Sequence, residues 1–249
     1  MTYCVGLKID SGLVFMSDTR TNAGVDNIST YRKMHVWEQP GERVIVLMSA
    51  GNLATTQAVV SLLDERTKAV SERVHTLLET PSMFQTARLV GNTVKEVIAH
   101  SSPVGQKADS YFNASFILGG QIKGSEPRLF LIYPEGNFIE STDDSPFFQV
   151  GETKYGRPII VRAYDRTMSF ADTAKLLMVS FDSTVKANLS VGLPLDLVFY
   201  QRDAMRIALK KRIAPDDPYY RTISEGWSNA LKSAFERLPA FEWQAPDGL

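Results

Sequence analysis

With a single cysteine, Cys4, the chain cannot form an internal disulfide, so packing must hold the fold and a reducing compartment is its natural setting. Long apolar runs are missing too. No window approaches the ~18 consecutive apolar residues of a membrane span, so no transmembrane helix is expected. Charge of either sign is not in excess: 27 basic against 28 acidic side chains leave a net charge of -1. That balance gives no electrostatic footprint for nucleic acid or an acidic membrane surface. The first residues lack the basic and apolar regions of a secretory leader, so they are expected to belong to the mature fold, in the cytoplasm. His35, His75 and His100 have no metal-ligand spacing with one another or with a carboxylate cluster. No Gly-x(4)-Gly-Lys follows Gly119-Gly120, which removes a phosphate loop. Neither a metal nor a cofactor is expected, and the three histidines and Cys4 read as structural.

The composition that remains is that of an ordinary globular protein, with 44% apolar and 22% charged residues. Apolar runs at 5–9 and 13–16, joined by Asp10-Ser11-Gly12, predict a β-hairpin. A second pair is expected at 34–38 and 43–48 around Gln39-Pro40-Gly41-Glu42. Asn52 has the chemistry of an N-cap, and Ala58, Val59, Leu62 and Leu63 repeat at helical spacing behind it. After Thr80-Pro81-Ser82, a stripe of Phe84, Ala87, Gly91, Val94 and Ile98 predicts a second helix, its small residues allowing close approach to a neighbour. Strands are expected at 114–118 and 129–133, with Gly119-Gly120 and Lys123 to Pro127 as turn material. Phe170, Ala174, Leu177 and Phe181 predict a later helix, 193–200 and 207–213 late strands, and 217–236 a last helix.

No composition shift, linker or repeat interrupts this order, so residues 1–249 read as one domain with a C-terminal extension from about 215. Strands such as Val44-Ile45-Val46-Leu47-Met48 are apolar at successive positions, which requires both faces to be covered. The fold class expected is therefore α+β, a four-layer αββα sandwich in which two antiparallel sheets stack face to face with helices outside both.

Thr2, Lys8, Gly12, Asp18 and Arg20, followed by Gly24 and Lys33, together resemble the opening of proteasome β subunits and bacterial proteasome-like proteases. Ser49-Ala50-Gly51 continues the match, and 150–156 stands where that family has a glycine-rich loop and its following helix. Within this N-terminal-nucleophile hydrolase superfamily, the Met-Thr start and the C-terminal extension are most similar to the bacterial proteasome-related Anbu branch. The resemblance implies Thr2 as nucleophile once Met1 is removed, Lys33 beside it, Asp18 balancing and orienting the lysine, and the Gly51 N–H as oxyanion donor. Chemistry accounts for these residue types. A threonine hydroxyl needs a base within reach, and an N-terminal residue brings its own α-amine, whose pKa of about 7.7–8.0 leaves a substantial fraction neutral near pH 7.

Taken alone, each residue has a plainer reading. Thr2 is an ordinary strand residue, Gly51 a turn glycine, and Asp18 with Arg20 a structural ion pair, the reading preferred for Arg20. Thr2 and Lys33 are also separated by one residue fewer than in the family, which selects Lys33 over Arg32 only if the deletion precedes the strand. Glu152, Thr153, Asp182 and Ser190 are the open candidates for supporting the amine. The resemblance implies a threonine peptidase acting on peptide or protein substrates in a large homo-oligomer, ring or helical, with any unfoldase or adaptor left open. A small-molecule amidase on the same scaffold and a structural or binding subunit are the alternatives.

Overall fold

The computed structural model describes residues 2–22, 28–68, 76–101 and 112–243; Met1, Gly24 and His75 lie outside them. The expected hairpin forms from β1 (Tyr3–Ile9) and β2 (Gly12–Asp18), paired Cys4↔Ser17 through Ile9↔Gly12. A short ladder of β3 (Arg20–Asn22) and β4 (Ile28–Thr30) follows, then the second hairpin of β5 (Met34–Gln39) and β6 (Arg43–Gly51). The Asn52 side chain accepts from the Thr55 N–H at 3.0 Å, capping α1 (Leu53–Lys68) as its chemistry predicts. The next helix is α2 (Met83–Ser101).

Beyond α2 come β7 (Ala114–Ile122), β8 (Arg128–Ile132), β9 (Phe138–Glu140) and β10 (Phe147–Gly151). Gly119-Gly120 is therefore not a turn. Both residues lie inside β7, because a Cβ on Gly119 would meet the Phe15 ring at 2.6 Å and one on Gly120 the Val44 carbonyl at 2.0 Å. Gly119 is a thin point where the two sheets approach, and Gly120 one where β7 closes on its neighbour β6. The chain closes with α3 (Arg157–Ala163), α4 (Phe170–Ala187), β11 (Leu195–Gln201), β12 (Leu209–Ile213) and α5 (Pro218–Glu236).

The strands form two antiparallel five-stranded sheets, ordered β10-β1-β2-β11-β12 and β5-β6-β7-β8-β9. Side-chain parity builds the layers from them. Along β6, Val44, Val46 and Met48 join Cys4, Leu13, Phe15 and Ile117 in a core between the sheets. Ile45 and Leu47 turn the other way, to Val59, Leu63, Ala87 and Val94 of α1 and α2. Along β1 and β2, Val5, Leu7, Val14 and Met16 pack against Leu177 and Phe181 of α4 and Ile160 of α3. The result is the α+β, four-layer αββα order read from the sequence. On α2 the stripe is offset by one residue. Met83, Ala87, Val90, Val94 and Val97 are buried, whereas Phe84 is 44% exposed and stacks edge-on against Phe138. Gly91 does permit a close approach, since a Cβ there would lie 2.1 Å from the Gly136 carbonyl. Among the described residues no helix is long and apolar enough to cross a membrane.

Candidate active site

Thr2 precedes β1 and is held through its backbone. Its carbonyl accepts from the Glu152 N–H at 2.6 Å, and the next N–H, that of Tyr3, donates to Asp18 Oδ1 at 3.0 Å. Gly151 makes this possible: it has φ +86°, and a Cβ on it would lie 1.9 Å from the Thr2 carbonyl oxygen. Gly151→Ala is accordingly expected to strain the backbone and push Thr2 off its seat, at a cost of ~1–3 kcal/mol. A lowered denaturant midpoint would register it, and an unchanged one would contradict it.

Asp18 ends β2 with its carboxylate fully buried. The same Oδ1 accepts from Lys33 Nζ at 2.8 Å, and Lys33 Nζ also donates to the Arg20 carbonyl at 2.5 Å. Burial pushes the Asp18 carboxyl above the usual carboxylate range, against the opposing pull of the Lys33 ammonium and the Tyr3 and Gly192 N–H groups. Lys33 is itself 4% exposed, and its carbonyl is fixed by the Ser49 N–H at 3.0 Å. An ammonium has three donors. With two committed to Asp18 and Arg20, the third is left for the cleft that Lys33 lines. Arg32 is exposed, so Lys33 is the cation that the register turns inward.

Thr2, Lys33, Ser49 and Gly51 line a cleft of about 540 Å³, whose other walls include Thr21, Tyr31, His35 and Gln57. Gly51 ends β6 with φ +119°, and its Cβ position is filled by the Asn113 carbonyl at 2.1 Å. Strand amides alternate in direction. The Ser49 N–H points to β5 and the Asn52 N–H to Asn113, so the Gly51 N–H points to the β5 side, beyond Met34 where β5 begins, toward the cleft.

Thr2, Lys33 and Gly51 thus share one cleft, with Asp18 beneath the lysine. Of the open candidates, Glu152 lies beside Thr2, its Oε1 accepting from the Lys154 N–H and its Oε2 from Asn188 Nδ2 at 3.0 Å. Ser190 joins the same group, because its N–H and Oγ both donate to Asn188 Oδ1. Asn188, which C-caps α4, escaped the sequence reading. Its only signal was its place just ahead of Ser190-Val191-Gly192. Asp182 lies elsewhere, accepting from Lys186 Nζ and the Tyr220 hydroxyl at the α4–α5 contact. Thr153 borders a neighbouring cavity.

One structural reading needs correction. Arg20 is not the ion-pair partner of Asp18: its Nη1 donates to the Leu189 carbonyl at 3.0 Å, and its guanidinium fills the space a Gly192 Cβ would need. Lys33, just ahead of β5, takes the carboxylate instead. His35 lines the cleft, and burial lowers its pKa. Cys4 is buried in β1, its thiol pKa raised by burial and its Sγ directed at the Ser49 carbonyl.

The family model for proteasome subunits matches residues 2–192. None of the curated protein sequences matches. Among solved structures, the Anbu (Gly-1) mutant from Hyphomicrobium sp. strain MC1 is 52% identical with a TM-score of 0.91, covering 98% of this chain and 100% of that one. Anbu from Yersinia bercovieri, described as an ancestral beta-subunit, is 48% identical with a TM-score of 0.90, covering 97% and 100%. The Anbu complex from Pseudomonas aeruginosa, described as a helical assembly, is 44% identical with a TM-score of 0.89, covering 97% and 98%. The chain belongs to the proteasome family, in its Anbu branch.

Proposed function

We propose that the chain is a threonine-type amide hydrolase that cuts peptides, with Thr2 as nucleophile after removal of Met1. The observation that carries this reading is the buried Lys33–Asp18 pair opening into the same cleft as Thr2. A buried ion pair is weak evidence for stability. Its place beside an N-terminal hydroxyl supports a chemical use.

In the proposed reaction the Thr2 α-amine, in its neutral form, takes the proton of Oγ1 as the oxygen attacks the substrate carbonyl carbon. The Lys33 ammonium disfavours protonation of that amine beforehand and favours the developing alkoxide. The Gly51 N–H receives the oxyanion. Collapse breaks the carbon–nitrogen bond, the α-ammonium passes its proton to the leaving amine, and the acyl group stays on Oγ1 as an ester. Water activated by the same amine then hydrolyses the ester and restores the threonine. Apart from the substrate and one water, every group used belongs to the chain.

The helical assembly of the Pseudomonas aeruginosa relative supports a homo-oligomer for this chain as well. So do the large apolar side chains left exposed at its C-terminal end, Phe235 at 77%, Phe241 at 87% and Trp243 at 68%. A lone buried thiol suits a reducing compartment, and the cytoplasm is the location proposed.

Incubation of the purified assembly with an unfolded protein and with small primary amides, read by mass spectrometry for new chain ends, tests the reading. Internal peptide cleavage is expected. Hydrolysis confined to the small amides points to the amidase alternative, and no hydrolysis of either by an intact assembly contradicts the proposal.

A further inference from the structure

The active-site cleft is electrically one-sided. Its ionisable side chains are Tyr31, Arg32, Lys33 and His35, and no carboxylate lines it among the described residues. In a chain with 28 acidic against 27 basic side chains, that is a local arrangement and not the average. Two carboxylates stand behind these walls, and both are engaged. Asp18 accepts from Lys33 Nζ at 2.8 Å, and Asp64 of α1 from Trp37 Nε1 at 2.7 Å. The first turn of α1, which gives Leu53 and Thr56 to the wall, has no acidic residue, so the positive end of the helix dipole adds to the same sign.

Which part of a substrate meets this field follows from backbone geometry. The N–H and C=O of a strand residue point the same way. The Thr2 carbonyl points to Glu152 at the end of β10, so the α-amine faces β10 too. A leaving nitrogen protonated by that amine departs on the β10 side. β10 packs over β6, β7 and β8, whereas β5 is the opposite edge of that sheet. The acyl side of the bond therefore runs toward β5.

His35 stands on β5 opposite Leu47, one pleat, about 7 Å, inward from the level of Lys33 and Ser49. Leu47 packs against the helices, so His35 shares the face that α1 covers, with Gln57 and Ser61 of α1 in the same cleft. Burial lowers the His35 pKa, and the ring is neutral near pH 7. The charges that face it are Arg32, Asp64 and Lys210 of β12. With Asp64 held by Trp37, a carboxylate arriving beside the ring meets two cations and favours the protonated imidazole, which donates from both nitrogens.

Resting on the proposed role of Thr2, we infer that the part of the cleft between β5 and α1 takes the side chain just before the cleaved bond and selects an acidic one, its carboxylate recognised by Arg32 and His35. The depth of His35 favours glutamate over the shorter aspartate. Lysine and arginine side chains are disfavoured by the same charges, and glutamine, equal in shape to glutamate, lacks the charge that these groups read.

Binding to the Thr2→Ala assembly tests this without turnover. Three acetylated tetrapeptide N-methylamides, differing only in a last residue of Glu, Gln or Lys, are titrated by calorimetry at pH 7. The glutamate peptide is expected to bind about tenfold more tightly than the glutamine one, and the lysine one most weakly. In a Thr2→Ala/Arg32→Gln/His35→Gln protein the glutamate advantage is expected to shrink to about twofold or less, with the affinity for the glutamine peptide kept. Equal affinities for Glu and Gln, tighter binding of Lys, an advantage that survives both replacements, or no saturable binding of any peptide would overturn the inference. If that variant does not fold, Thr2→Ala/Arg32→Gln, altered at an exposed residue, must itself reduce the advantage, and an unchanged ratio overturns the inference. Glutamate-selective binding by a parent chain that cleaves nothing counts against Thr2 and leaves the pocket standing, whereas cleavage without that selectivity does the reverse.

Discussion

Replacing Thr2 with alanine is expected to abolish amide hydrolysis while leaving the fold and the assembly intact. The structural bonds at this position run through the backbone, from Glu152 N to the Thr2 carbonyl and from Tyr3 N to Asp18, and alanine keeps both. What disappears is the hydroxyl. The residue that carries the α-amine then has no nucleophile of its own, so kcat/KM for a peptide substrate is expected to fall on the order of 10⁴-fold or more. The unfolding midpoint should shift by no more than about 0.5–1 kcal/mol. Thr2→Ser retains the nucleophile and is expected to retain measurable activity. Full activity in Thr2→Ala would move the chemistry away from this residue altogether.

The second large effect is expected at Lys33, where structure and chemistry can be separated. Lys33→Met removes one partner of a buried pair whose other member, Asp18, is fully buried. Losing one partner of such a pair costs ~3–5 kcal/mol. Hydrolysis is expected to drop ~10²–10⁴-fold, because the amine is then protonated more readily and the alkoxide loses its neighbouring charge. The variant also acquires a pH signature. With the ammonium gone, only the Tyr3 and Gly192 N–H groups oppose the effect of burial, and the Asp18 carboxyl is lifted further. A carboxyl whose folded pKa lies above its unfolded value binds protons preferentially in the folded state. Stability relative to the parent should therefore be least affected below the unfolded value of about 3.9 and decline as pH rises toward the raised folded value. The double variant Asp18→Asn/Lys33→Met keeps an acceptor for the Tyr3 N–H and leaves no buried charge. It is expected to recover most of the stability and none of the activity. Recovery of both would make the pair structural only.

Much of the architecture was legible because it depends on short-range patterning. Asp10-Ser11-Gly12 and Pro40-Gly41 mark their turns by local chemistry, and the unbroken apolar run of β6 announces two covered faces. Gly119-Gly120 misled because the reason for those glycines is remote in sequence. Phe15 and Val44 crowd them from other strands, and no local rule carries that information. The site divides the same way. Thr2, Asp18, Lys33 and Gly51 could be gathered by resemblance, and the two sheets bring them to one place. The Asp18–Arg20 pairing failed because spacing along a strand says nothing of a lysine arriving from the residue ahead of β5. Asn188 bridges Glu152 and Ser190 across separate elements, a connection only the fold creates. The same holds for His35 in the cleft wall and for Asp182, drawn aside by Tyr220 of α5.

The central claim is that Thr2 is a free N-terminal nucleophile, and the N-terminal peptide tests it most directly. Native protein treated with a peptide vinyl sulfone, then denatured, digested and weighed by mass spectrometry, should give a peptide that begins at Thr2 and carries the inhibitor on that residue. Cys4, which shares this peptide, is buried with its thiol kept neutral, so fragmentation should place no adduct there. A peptide that still begins with Met1, or an unmodified Thr2 under saturating reagent, would contradict the account.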